Sequence, residues 1–282
     1  MKFVMTGHKG LIGSSLLSEL LKEKHEPILL LDKKDGRNIL DIENFSLRKS
    51  ADLMIHIAAY CKINKSIENP YLVFDNNVLG TYKVLEFCRK NKVPKIIFTS
   101  SSRIISPEKN PYTASKIYGE ELIKGYSQSY GLEWVIVRPS TVYGPFDDQT
   151  SRLVDIFILN ALKGKELKIF GDKNKTLDFT YINDFVDGFM LAINEKNKEF
   201  DISSGIETKV NYVADLIINL AGKGYKSFYP QEIAQPQQVK IDFSNIKKLG
   251  FEPKIGVEEG IKRTFEWYKN NFEKIEERRK YL

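Results

Sequence analysis

Cysteine is nearly missing: Cys61 and Cys88 are the only two, and they show neither CxxC spacing nor a cluster of partner residues. That excludes a disulfide framework and the usual zinc sites, so no metal is expected and a reducing cytoplasm fits. No apolar stretch approaches the roughly 20 residues that a membrane span needs, so no membrane partner is expected. The opening Met1-Lys2-Phe3-Val4-Met5-Thr6-Gly7 meets glycine too early for a signal peptide. Internal repeats and low-complexity linkers are absent, as are basic runs interleaved with aromatics, the mark of a groove for nucleic-acid strands. The net charge of +6 leaves two readings. One is attraction of an anionic ligand such as a nucleotide diphosphate. The simpler is a solvated surface, because the excess sits in mixed faces such as Lys262-Arg263 and Arg278-Arg279-Lys280. Nucleic acid is not an expected partner.

What is present is an ordinary globular composition, 42% hydrophobic and 28% charged, over 282 residues. That length suits one large α/β domain, or a dinucleotide domain with a smaller lobe. Apolar runs at 2–6, 27–32, 53–58, 95–100 and 134–139 read as buried parallel strands. Helical periodicity fills 11–24, 71–91 and 111–130 between them. This alternation predicts a doubly wound parallel α/β sheet. Beyond Pro139 the pattern breaks into short strands (167–170, 179–182), a helix at 184–194 and a strand at 200–203 that return to the sheet, and a lobe facing the strand ends.

The first strand runs into Gly7-His8-Lys9-Gly10-Leu11-Ile12-Gly13. Glycines there let the backbone turn, approach a pyrophosphate and pack a helix against the sheet, and the helix N-terminus offers free N–H groups to phosphate. A glycine turn alone is equally consistent with mere turn chemistry. Its context adds weight: it follows a strand, opens a helix, and the next strand ends in Asp32, 19 residues after Gly13. A carboxylate at that place accepts ribose hydroxyls and repels a 2′-phosphate, favouring NAD. Lys9, Lys33 and Lys34 keep NADP as the lesser alternative, and Asp32 could also be a plain cap.

Asn110-Pro111-Tyr112-Thr113-Ala114-Ser115-Lys116 holds YxxxK at the start of a helix, with Asn110 as N-cap and Pro111 at the first helical position. Tyr112 and Lys116 then lie one turn apart on one face. A phenol with a pKa near ~10 is a poor base at neutral pH, and an ammonium, a helix dipole and an oxidised nicotinamide all favour phenolate. YxxxK also arises often by chance. Here it follows a strand ending Phe98-Thr99-Ser100-Ser101-Ser102, which supplies a hydroxyl to orient a substrate.

With these motifs in view, the chain resembles the NAD-dependent epimerase/dehydratase family, the extended short-chain dehydrogenases, over nearly its whole length. Asp41-Ile42 resembles the family's adenine-contacting pair, His56-Ile57-Ala58-Ala59 its HxAA strand end, and Asn77-Val78-Leu79-Gly80-Thr81 its NVxGT helix. Further matches are Arg138-Pro139-Ser140-Thr141-Val142-Tyr143-Gly144-Pro145, Asp178-Phe179-Thr180-Tyr181-Ile182-Asn183-Asp184 and Leu249-Gly250-Phe251-Glu252-Pro253. The resemblance implies a Rossmann domain at 1–140, with 178–203 returning to it, and a smaller α/β substrate lobe from 141–177 and 204–282. It implies a homodimer through a four-helix bundle. It implies Tyr112 as base, Lys116 as its partner and Ser101 as the hydroxyl on the reacting sugar oxygen, with Ser102 the nearest rival. Cofactor contacts carried over are Gly7, Lys9, Gly10, Leu11, Ile12, Gly13, Asp32, Asp41, Ile42, Ala58, Ala59, Asn77, Tyr112, Lys116 and Pro139. Substrate contacts are Ser101, Ser102, Tyr112 and Thr141.

The chain also departs from the pattern. Dehydratases of the family carry acids just beyond the catalytic Ser/Thr, where this chain has Ser102, Arg103 and Ile104. Ile105 replaces a common tyrosine, and only ten residues separate Ser101 from Tyr112, so a loop over the pocket is shortened. Two arginines that commonly grip the nucleotide diphosphate are replaced by Leu177 and by Gln235 in Gln235-Pro236-Gln237-Gln238, with Lys173, Lys175 or Lys240 as candidate substitutes. The expected function is an NAD-dependent epimerase of a nucleotide-activated sugar, oxidising and re-reducing C4. A keto-sugar reductase or dehydrogenase and a dinucleotide-sensing regulator are the alternatives.

Overall fold

The computed structural model describes residues 1–147, 152–235 and 240–280. Along the chain run β1 (Lys2–Thr6), α1 (Leu11–Lys22), β2 (Glu26–Leu31), β3 (Leu53–His56), α2 (Ile63–Glu68), α3 (Pro70–Val73), α4 (Gly80–Lys90), β4 (Lys95–Thr99), α5 (Pro111–Tyr130) and β5 (Glu133–Pro139). There follow β6 (Thr141–Tyr143), α6 (Leu153–Leu162), β7 (Glu166–Phe170), β8 (Thr176–Tyr181), α7 (Ile182–Ala192) and β9 (Lys198–Ile202). The chain closes with β10 (Glu207–Lys209), α8 (Val210–Ala221), β11 (Tyr225–Tyr229), α9 (Ser244–Lys247), α10 (Val257–Asn270) and α11 (Phe272–Arg279). Among the described residues no helix is long and apolar enough to cross a membrane.

Six strands form one sheet in the order β2-β1-β3-β4-β5-β9, and every neighbouring pair is parallel. Parallel strands need crossover helices, which cover both faces, so β3 and the last four residues of β4 are buried throughout. One core packs α1 and α7 on the first face and the other packs α4 and α5 on the second. The chain reverses direction across the sheet between β1 and β3. There the connections leave on opposite faces and open a crevice at the strand ends. The doubly wound α/β sheet expected from the alternating pattern is therefore present.

Three local differences have physical causes. The strand expected at 53–58 stops at His56, because the N–H groups of Ile57 and Ala58 turn to the Thr6 hydroxyl, each at 3.2 Å. The helix expected at 71–91 is α3 and α4 joined by a π-turn, Phe74–Leu79, which turns Asn77 inward. The return expected at 178–203 is made by α7 and β9 alone, since β8 belongs to a second sheet, β10-β8-β6. Asp178 clips the two sheets together by accepting from the Ser203 hydroxyl at 2.6 Å and the Ser204 N–H at 3.1 Å. Asp184 holds the C-terminal segment through the N–H groups of Lys254 (3.1 Å) and Ile255 (3.0 Å). Phe251 consequently packs on Gly188 of α7, beside the main sheet rather than over the strand ends.

Candidate active site

A cleft of about 780 Å³ runs from the β1–α1 turn, across the ends of β4 and β5, to a wall made by α6, β7 and β8. At its first end, Gly7 has a positive φ of 78° and sits so close to β3 that a Cβ would lie 2.7 Å from the Ala58 nitrogen. Helix α1 begins at Gly10 with no side-chain cap, which leaves the first-turn N–H groups of Leu11, Ile12 and Gly13 for a ligand. A Cβ on Gly10 would meet only the Gly7 carbonyl, at 3.6 Å, so the space above it belongs to the cleft. These residues fit a dinucleotide pyrophosphate.

Asp32 lies beside this turn, 8% exposed, and orders it. Its carboxylate accepts from the Lys9 N–H at 2.9 Å and the Lys34 N–H at 3.0 Å while still lining the cleft. Ala58, Ala59 and Pro139 line it as well. Four expected contacts do not. The Lys9 ammonium turns to an ion pair with Asp35. Ile42 is buried in the second core and Asp41 is exposed, because the link from β2 to β3 forms only short 3-10 turns. The cleft residues of that link are Asn38 and Ile39. Asn77 lies behind the lining: its amide accepts from the Tyr60 N–H (2.7 Å) and donates to the Tyr60 carbonyl (3.0 Å) and the Ser115 hydroxyl (2.9 Å).

At the centre of the cleft α5 starts with a complete capping box. The Asn110 side chain accepts from the Thr113 N–H, and the Thr113 hydroxyl accepts from the Asn110 N–H, each at 3.0 Å. This fixes the first turn and directs Tyr112 and Lys116 into the cleft, 7% and 3% exposed. Ser101 and Ser102 are both buried and both line the cleft, and Ser101 lowers the Tyr112 pKa. Burial pushes Tyr112 up to about 12, as does the nearby Cys61; the Ser101 hydroxyl and the charges of Arg152 and Arg103 pull the other way. Burial also pushes Lys116 down to about 8, against the pull of Cys61 and Glu120. Its ammonium donates to the Thr99 carbonyl at 2.7 Å and lies 4.8 Å over the Phe98 ring.

The far wall carries Thr141, Leu177 and Gln235 and is cationic. Of the three candidate substitutes, Lys175 lines the cleft, whereas Lys173 and Lys240 are exposed elsewhere. Lys175 is buried and donates to the Phe170 carbonyl at 2.7 Å. Burial lowers its pKa, with Glu232 opposing and Arg103 adding to the effect. Arg152, at the N-terminus of α6, donates to the Val142 carbonyl at 3.2 Å. Arg103, Arg152 and Lys168 line the cleft without having been singled out by sequence, although Arg103 directly follows the serine run. Gln235 donates to Asn64 at 2.9 Å, tying the C-terminal loop to α2 across the opening. Residues 236–238 of the same motif lie outside the described residues.

A nucleotide crevice at a topological switch point, with a tyrosine and lysine one helical turn apart facing a glycine turn, is the build of the extended short-chain dehydrogenases. The chain belongs to the NAD dependent epimerase/dehydratase family, whose sequence pattern matches residues 3–203. It is 35% identical to a protein of Methanocaldococcus jannaschii named as a candidate UDP-glucose 4-epimerase, over 95% of this chain and 98% of that one. The crystal structure of Thermotoga maritima UDP-glucose 4-epimerase with UDP-glucose superimposes with a TM-score of 0.89 at 27% identity, covering 96% of this chain and 100% of that one. The Thermus thermophilus UDP-glucose 4-epimerase in complex with NAD gives 0.86 at 28% identity, covering 95% and 99%.

Proposed function

We propose that this chain is an NAD-dependent epimerase of a nucleotide-activated sugar, inverting a ring hydroxyl through a keto form. The observation that carries the reading is the convergence of Ser101, Tyr112 and Lys116, all three buried, on one cleft that also holds a pyrophosphate-fitting turn and a cationic wall. NAD, when bound at the glycine turn, supplies the hydride acceptor and donor. Ser101 holds the sugar hydroxyl against Tyr112, which takes its proton and later returns it. Lys116, pushed down to about 8, exchanges protons near neutral pH more readily than an ordinary lysine and can reset Tyr112. Arg152 and Lys175 hold the diphosphate in place of the arginines replaced by Leu177 and Gln235. Ser102 and Thr141 contact the sugar.

The division into a cofactor domain and a substrate lobe follows from this use of the cleft. A homodimer follows as well. Tyr71, Phe74, Tyr82, Ile117 and Tyr118 stand exposed on α3, the π-turn, α4 and α5, at 74%, 55%, 43%, 36% and 41%. Light scattering of Tyr118→Glu tests the dimer: a monomeric variant of a dimeric parent supports it.

The activity is tested by incubating protein and NAD with UDP-, TDP-, GDP- and CDP-sugars, read by proton NMR and by absorbance at the NADH band. A new stereoisomer without net NADH supports the epimerase. Accumulating NADH supports a dehydrogenase instead, and no turnover with any sugar refutes the reading.

A further inference from the structure

That mechanism leaves Arg103 without a role. Arg103 is the second residue past Ser101, on a 3-10 turn (Ser102–Ile105) that Ser101 caps by accepting from the Arg103 N–H at 3.2 Å. Its side chain lines the cleft, and its Nη1 is buried with no hydrogen-bond acceptor among the described residues. A guanidinium nitrogen buried without an acceptor is strongly disfavoured unless a ligand completes it. Nearby charge does not compensate. Lys175 is close enough to repel it, and Glu232, the carboxylate on that wall, faces Lys175. The site therefore calls for an anion.

A nucleotide-activated sugar can offer two, its diphosphate and a carboxylate on the ring, and position separates them. Ser101 and Tyr112 mark the reacting ring hydroxyl. In a hexose the C4 hydroxyl neighbours C5 and its C6 substituent, while the diphosphate leaves C1 on the opposite side of the ring. Arg103 lies on the turn that Ser101 caps, two residues past it, whereas Arg152 stands at the start of α6 and Lys175 directly before β8. The diphosphate, with two negative charges, already has Arg152, Lys168 and Lys175 on the far wall. We propose that Arg103 binds a carboxylate at C6 of the sugar, so that the preferred substrates are nucleotide-activated uronic acids. The planar guanidinium fork matches a carboxylate, whereas the CH2OH of a neutral hexose leaves its charge unmet. This rests on the epimerase reading for its kinetics, but its binding test does not.

The test compares UDP-glucuronate with UDP-glucose, in wild type, Arg103→Met and Arg103→Lys. Affinity is read by calorimetry with NAD present, and kcat/KM by chromatographic separation of the C4 epimers. Wild type should favour the uronate roughly 10- to 100-fold in affinity, with the ratio collapsing in Arg103→Met and partly kept in Arg103→Lys. UDP alone should bind the variants far less altered than UDP-glucuronate does. If uronate binding shows this pattern without turnover, the inference stands and the epimerase reading falls. Equal wild-type affinity for the two sugars overturns the inference. So does an Arg103→Met that weakens UDP, UDP-glucose and UDP-glucuronate alike, which would make Arg103 a phosphate ligand.

Discussion

The glycine turn provides a test in which two neighbouring glycines, replaced in the same way, should fail for different reasons. A Cβ on Gly13 would lie 2.0 Å from the Gly7 carbonyl oxygen and 2.8 Å from both the Gly7 carbonyl carbon and the His8 Cα. All three are backbone atoms. Gly13→Ala can be accommodated only by moving α1 off the end of β1 by about 1 Å, which loosens Leu16 and Leu20, both fully buried. Overpacking against side chains costs about 1–3 kcal/mol, and a backbone obstacle should place this variant at or above the top of that range. For a chain of this size, ~3 kcal/mol lowers the melting temperature by roughly 5 °C. Gly10→Ala meets nothing closer than 3.6 Å. Its weaker N-cap and its stiffer unfolded chain nearly offset, leaving stability within about 1 kcal/mol of the parent. The new methyl instead occupies the cleft where a pyrophosphate would sit, so NAD affinity should fall at least about tenfold. Thermal melts and calorimetric titration with NAD read the two effects separately. A Gly13→Ala variant melting within 2 °C of the parent, or a Gly10→Ala variant with unchanged NAD affinity, would refute the reasoning.

Tyr112→Phe removes the buried phenol hydroxyl in the cleft and should lower turnover by about a thousandfold while NAD still binds; near-normal turnover would remove Tyr112 from the mechanism. Asp32→Ala should weaken NAD more than NADP in calorimetry. Equal weakening would mean that Asp32 acts only by ordering the turn through Lys9 and Lys34. His56, bridging the hydroxyls of Thr6 (2.8 Å) and Thr81 (3.1 Å), is pushed down to about 3 by burial and by Lys116. The unfolded chain therefore takes up its proton first. The stability contribution is complete above about pH 6.5 and is lost as the pH falls, by roughly 2 kcal/mol at pH 5. Asp201, raised to about 6 by burial, works in the opposite sense between about pH 4 and 6, so the effect is read as the difference between wild type and His56→Gln in urea. A difference that does not change between pH 7 and pH 5 would contradict it.

Legibility followed how local the determinants are. The direction of Tyr112 and Lys116 could be read from sequence because Asn110, Pro111 and Thr113 set the helix start within four residues. The parallel sheet was readable for a related reason, since strands buried on both faces become unbroken apolar runs. Asp178 and Asp184 were visible as family marks, but their work as clips to Ser203, Ser204, Lys254 and Ile255 depends on segments far away in sequence. Asp41 and Ile42 stay out of the cleft lining where the link from β2 to β3 lacks a strand to hold its register. Arg103 and Arg152 were illegible for the opposite reason. Among 43 lysines and arginines neither stands out until a shortened loop and the start of α6 bring them to the cleft.

Burial unifies the chemistry of the cleft. It drives His56, Lys116 and Tyr112 toward their uncharged forms, His56 and Lys116 downward and Tyr112 upward. His56, the last residue of β3, lies outside the cleft lining and stays a neutral brace. Tyr112 and Lys116 line the cleft, so charge entering it can alter their proton balance. A cation beside Tyr112 favours phenolate, the direction in which Arg103 and Arg152 already pull. An anion that pairs with Arg103 removes part of that pull and leaves the phenol more firmly protonated. If Arg103 does bind the sugar's carboxylate, the group that selects the substrate also tempers the base that attacks it. The pH at which turnover reaches half its maximum should then be higher for UDP-glucuronate than for UDP-glucose, and that difference should vanish in Arg103→Lys only as far as the carboxylate contact is lost.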